Sequence, residues 1–115
     1  MIMTSGVEGL DAFLRRVFVY RPENEEIVRT PEFMVNQLRD ENKIEGDCDD
    51  IATFIASIAT AAHLPCHFVA LDSKNQGLDH VFSRIFTTRW ITVDPTVERG
   101  TDYNVFDAII VPVNA

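Results

Sequence analysis

Between Asp47 and Pro65 the residues Ile51, Phe54, Ile55, Ile58, Ala59 and Ala62 return at steps of three and four, the spacing that gathers side chains on one face of an α-helix. A helix with so continuous an apolar face is buried along most of it, and the rest of the chain must supply the covering surface. Asp47 is a good N-cap, and Pro65 ends the run because proline disfavours the helical conformation at the residue before it. The following residues, Cys66 to Leu71, read as a strand.

Downstream, His80 to Phe86 and Trp90 to Val93 are apolar-rich runs joined by Thr87, Thr88 and Arg89, the pattern of an antiparallel hairpin. Asp72 to Asp79, with Gly77, reads as a loop, and a last strand is expected at about 108–113. Upstream, Leu10, Phe13, Leu14 and Val17 predict a first helix over about 7–18, with an ambiguous end at Val17 to Tyr20 and a solvated loop from Arg21 to Glu26. Thr30, Pro31 and Glu32 supply an N-cap, a first-turn proline and a dipole-matched acid. They start a short second helix expected to carry Phe33, Gln37 and Leu38 inward, which the polar stretch from Asp40 to Gly46 breaks. The sum is one α+β domain over residues 1–115, its helices packed on an antiparallel β-sheet, without internal repeats or linkers.

With 46% apolar residues in 115, the chain can build a real core. Its net charge of -8 argues against nucleic acid, whose backbone requires clustered Lys and Arg; the nearest such cluster is Arg15-Arg16. The acidic balance mildly favours basic peptides instead. No apolar run reaches the roughly 20 residues that span a bilayer, and Met1 to Gly6 lacks the features of a signal peptide. A reducing cytoplasm is the expected compartment, with Cys48 and Cys66 as free thiols rather than a disulfide.

Cys48 lies in Gly46-Asp47-Cys48-Asp49-Asp50, at the first turn of the long helix, where the positive end of the backbone dipole favours thiolate. A hairpin turn centred near Thr87 sets His80 opposite Asp94, and opposed residues in an antiparallel ladder have Cβ atoms about 4.5 to 5.5 Å apart. Thiol, imidazole and carboxylate then supply nucleophile, base and orienter. Asp47, Asp49 and Asp50 crowd the thiol with negative charge and oppose the dipole, so activation by His80 matters more. The same three acids also read as a hard-cation site, but residues so close on one turn point in different directions, and no cofactor or metal is expected. Matching of the helix dipole is the simpler role for Asp49 and Asp50.

The strings GDCDDIATFIASIATAAHLP and DHVFSRIFTTRWITVDPT resemble the transglutaminase-like superfamily, related by circular permutation to papain-like cysteine proteases, over about 31–96. In that family Gly-x-Cys at a helix start supplies the nucleophile, a His opens the next strand, and an aromatic residue precedes an Asp-Pro-Thr turn. Residue by residue these are Cys48, His80, Trp90 and Asp94. Where the family often has Trp or Tyr two residues after the His, this chain has Phe82.

The resemblance implies a minimal transglutaminase-like core acting on a peptide or protein amide through a thioester. Water as acceptor gives hydrolysis, and an amine gives transamidation. Oxyanion donors are expected from the Cys48 backbone N–H and from Gln37 or Asn36, with Phe82 as a cleft wall and Trp90 as a core or cleft-wall aromatic. Cys66 reads as structural, and His63 and His67 as ordinary helix-end and strand residues. A noncatalytic binding or assembly module on the same fold is the alternative from another class.

Overall fold

The computed structural model describes residues 4–22 and 29–114. In chain order these form α1 (Thr4–Val17), β1 (Phe18–Tyr20), α2 (Pro31–Glu41), β2 (Ile44–Gly46), α3 (Cys48–Ala61), β3 (Cys66–Asp72), β4 (His80–Phe86), β5 (Trp90–Val93) and β6 (Asp107–Pro112). Part of the loop expected from Arg21 to Glu26 lies outside the described residues. The architecture is mixed helix and strand, an antiparallel sheet in the order β5-β4-β3-β6 with a separate β1-β2 pair. Among the described residues no helix is long and apolar enough to cross a membrane.

The central element is α3. Asp47 accepts at Oδ1 from Asp50 N at 3.1 Å, and Asp50 Oδ2 accepts from Asp47 N at 3.0 Å. This reciprocal capping box satisfies N–H groups that have no partner inside a helix. At the other end His63 takes a left-handed φ of 59°. Its N–H donates to Thr60 O, and Leu64 N–H donates to Ala59 O, so a Schellman-type close ends the helix before Pro65 acts.

Ile51, Ala52, Phe54, Ile55, Ala56 and Ala59 of α3 are buried. They form one core with Val7 and Leu14 of α1, Met34 of α2, Ile44 of β2 and Cys66, Ile85, Ile91 and Val93 of the sheet. Ser83 on the same sheet face donates from Oγ to Ala52 O at 2.7 Å, pinning β4 to α3. On the alternate face Val69, Leu71 and Phe82 form a second cluster covered by Tyr103.

Three expectations need correction. Phe33 does not point inward: it is 51% exposed, and Met34 is fully buried instead. The inward stripe of α2 runs through Met34, Gln37 and Leu38, one residue round from Phe33. The polar stretch before Cys48 is not merely a break, because Ile44–Gly46 pairs in parallel with β1, Phe18 on Ile44 and Tyr20 on Gly46. Finally, Ser83 pairs with Val93 and Phe86 with Trp90, so the β4–β5 hairpin is centred on Thr88 and not Thr87. Extended by one position, that register sets Asp94 against Phe82 rather than His80.

The edge strand β6 leaves Ile109, Ile110 and Val111 about half exposed. Val113 N–H donates inward to Cys66 O, so alternation turns the N–H groups of Ala108 and Ile110 outward. Ala108 N–H is taken by Asp107 Oδ1 at 2.9 Å, and Pro112 has no N–H. The outer edge therefore offers a neighbour few donors, a common protection against edge-to-edge pairing.

Gly46 touches this framework where it is tightest. A Cβ there would lie 2.7 Å from Asp50 Cβ and 2.8 Å from its Oδ2, so Gly46→Ala displaces the carboxylate of the capping box. Urea denaturation should show a loss of about 1–2 kcal/mol for this variant, the range for losing a helix cap.

Candidate active site

Cys48 is the first residue of α3 and is partly exposed. Gln37 holds the chain that leads to it: its Oε1 accepts from Glu45 N at 2.9 Å, which leaves the carboxamide NH2 as the group it can still offer. Asn36 is half-buried on the same helix. Asp49 is exposed, its Oδ1 3.9 Å from Cys48 Sγ. Tyr20, paired with Gly46, lies at this mouth too; partial burial first, then the side chains of Cys48, Asp47 and Asp49, raise its phenol above the ordinary value of 10.0.

His80 opens β4 and Asp94 follows β5. Their register is diagonal rather than opposed, yet His80 Nε2 and Asp94 Oδ2 are 2.7 Å apart. Diagonal neighbours on one sheet face remain within reach of longer side chains, and the chain turns at Asp94. Its Oδ1 accepts from Thr96 N at 3.1 Å and from Thr96 Oγ1 at 2.6 Å, an Asx-type turn. The turn-forming and the His-holding uses of Asp94 are thus served by different oxygens of one carboxylate.

The side chains of Asp94 and Cys48 both act on the imidazole. Nε2 is committed to Asp94, which leaves Nδ1 as the other ring nitrogen. The hydrogen bond to Asp94, then that to Cys48, outweigh partial burial and push His80 up from 6.5 to about 10. Burial alone would raise Asp94, but hydrogen bonds from His80, Thr96 and Tyr103 override it and hold the carboxyl below its ordinary 3.8. Cys66, unlike the partly exposed Cys48, is fully buried at the start of β3, and burial raises its thiol to about 11.

Trp90 does not wall this site. From Trp90 at the start of β5 to Asp94 is roughly 13 Å of extended chain at about 3.3 Å per residue. Trp90 stacks on His67 with centroids 4.1 Å apart and lies under the Arg84 guanidinium at 4.6 Å. Phe82 does reach the site, its ring centroid 6.1 Å from that of His80.

Several contributors escaped the sequence reading. Tyr103 donates from its hydroxyl to Asp94 Oδ2 at 2.7 Å and stacks on Phe82 at 4.7 Å. Arg15, dismissed with Arg16 as a small basic cluster, donates from Nη2 to Asp94 O at 3.0 Å and from Nη1 to Val97 O. Its Nε meets Asp11 Oδ2 at 2.9 Å, so α1 clamps the turn that carries Asp94. The proximity of Arg15 to Asp94 comes from the docking of α1 on β5, and Tyr103 sits in an irregular segment; neither carries a local signal. A cavity of about 320 Å³ behind Asp94 is lined by Asp11, Arg15, Asp94 and Tyr103 among others, but not by Cys48 or His80.

Comparison with known protein families, with curated proteins and with solved structures finds no match.

The His80–Asp94 pair fixes a pH window for stability. A His80 value raised above 6.5 contributes stability that is full below about pH 6.5 and lost as pH rises towards 10. A lowered Asp94 contributes stability present above about pH 3.8 and lost as pH falls through its folded value. The Tm gap between wild type and His80→Gln should therefore be widest near pH 4–6.5 and narrow steadily up to pH 10, as followed by thermal melts across that range.

Proposed function

We propose that this chain is a cysteine-dependent amide hydrolase or acyltransferase of transglutaminase-like fold, with Cys48 as nucleophile, His80 as acid–base and Asp94 as orienter. One observation carries the reading: the His80 ring is held 2.7 Å from a buried carboxylate and is acted on by a partly exposed thiol at a helix start. The order of nucleophile, base and orienter along the chain agrees with the family resemblance.

In this mechanism the Cys48 proton passes to His80, giving a thiolate beside an imidazolium that Asp94 stabilises. The thiolate attacks the carbonyl carbon of a peptide or protein amide. The Cys48 N–H, among the first-turn donors that have no intrahelical acceptor, receives the developing oxyanion. The remaining NH2 of Gln37 is the candidate second donor. His80 protonates the leaving amine as the C–N bond breaks, and a thioester remains. His80 then takes a proton from water or from a second amine, whose attack on the thioester releases Cys48.

The test is alkylation of the native protein with iodoacetamide at neutral pH, followed residue by residue. Cys48 should react and Cys66 should not, and His80→Ala should slow Cys48 by roughly a hundredfold, the lower range for losing an acid–base group. Cys48 labelling no faster than in unfolded chain, or indifferent to His80→Ala, would sink the catalytic reading in favour of a noncatalytic binding module. An electrophilic peptide panel, compared with Cys48→Ala, then sorts the substrates.

A further inference from the structure

Asp94 Oδ2 has two donors, and only one belongs to the triad. His80 Nε2 approaches it at 2.7 Å, and the Tyr103 hydroxyl approaches the same oxygen at 2.7 Å. The Tyr103 ring is nearly parallel to Phe82, at 10° and 4.7 Å, and stacks on the His80 ring at 6.0 Å. One side chain therefore touches the imidazole through its ring face and the carboxylate through its hydroxyl.

We propose that Tyr103 is a positioning residue of the Cys48–His80 pair, fixing the imidazole plane by stacking and moderating its basicity by sharing the Asp94 oxygen that holds it. The inference rests on the function proposed above and assigns a role to a residue outside the triad. A hydroxyl donating to a carboxylate oxygen disperses its charge, so less of that charge acts on the imidazolium. Without the hydroxyl, Asp94 pairs more strongly with His80, which holds its proton more tightly and becomes a poorer donor to the leaving amine.

His80 meets Cys48 from α3 and Asp94 from the end of β5. Tyr103 meets Asp94, with Arg15 and Asp11 of α1 beyond it. Its phenol is itself raised well above the ordinary range, first by burial and then by Asp94, so it remains a donor throughout the working pH range.

The experiment is a graded series read by NMR titration of the His80 ring. Tyr103→Phe keeps the ring and removes the hydroxyl; fluorotyrosine incorporated in a Tyr20→Phe background, where Tyr103 is the remaining one of two tyrosines, strengthens the donor. The His80 midpoint should rise by roughly one pH unit in Tyr103→Phe, about tenfold in its protonation constant, and fall in the fluorotyrosine protein. Cys48 alkylation should change its pH profile in the same order. Titration curves that overlay across the series, with far-UV circular dichroism unchanged, overturn the proposal. If Tyr103→Phe does not fold, the comparison of fluorotyrosine with tyrosine in the Tyr20→Phe background decides it alone. The two readings fail separately: alkylation indifferent to His80→Ala removes the catalytic function, whereas His80-dependent alkylation with an unmoved His80 midpoint removes only Tyr103.

Discussion

A carboxylate that is 2% exposed must be compensated group by group, and Asp94 is such a carboxylate. One oxygen takes the backbone and side chain of Thr96, and the other takes His80 and Tyr103. The four donors come from the turn itself, from β4 and from the segment before β6, so burying this charge obliges three parts of the chain to meet. Arg15 adds a fourth from α1 by gripping the backbone carbonyl of the same residue. Removal of one donor leaves the rest of the network in place, whereas removal of Asp94 would strand all of them.

The thiol half of the site depends on closeness rather than charge. β2 enters α3 through Gly46, whose missing side chain lets Asp50 fold back onto the backbone of Asp47. Gln37 fastens β2 from the side of α2, and Ser83 fastens β4 to the body of α3. Cys48 and His80 therefore sit on elements tied to each other by a buried hydrogen bond and a shared core, which is how a thiol and an imidazole with no covalent link keep a fixed relation.

How far the sequence disclosed this depended on the range of the interaction. The helix at Asp47 to Pro65 was legible because capping and apolar periodicity are local, and β3, β4 and β5 were legible from composition and turn residues. Phe33 misled because a helix of only about three turns offers adjacent residues as rival inward positions, and packing chose Met34. The three-residue β2 carries too little pattern to be seen, and it forms only because β1 pairs with it. His80 and Asp94 were correctly expected to meet, but for an incorrect reason: the ladder is centred on Thr88, and the meeting is diagonal. Trp90 followed from family order alone, which does not determine distance along a strand.

The acids beside Cys48 are less hostile to a thiolate than their number suggests. Asp47 and Asp50 each spend a carboxylate oxygen on the other's backbone N–H, which disperses charge at the helix start, while Asp49 is exposed to solvent, where water screens it. A protonated His80 supplies positive charge nearby, and that charge is secured by the buried carboxylate of Asp94 rather than by the exposed Asp49. Water that reaches the partly exposed Cys48 does not reach the carboxylate that keeps His80 protonated. An amide approaching the thiol could thus displace solvent at Cys48 without weakening the ion pair behind it, so in the proposed function the burial of Asp94 is what lets the cleft open to a substrate and stay charged.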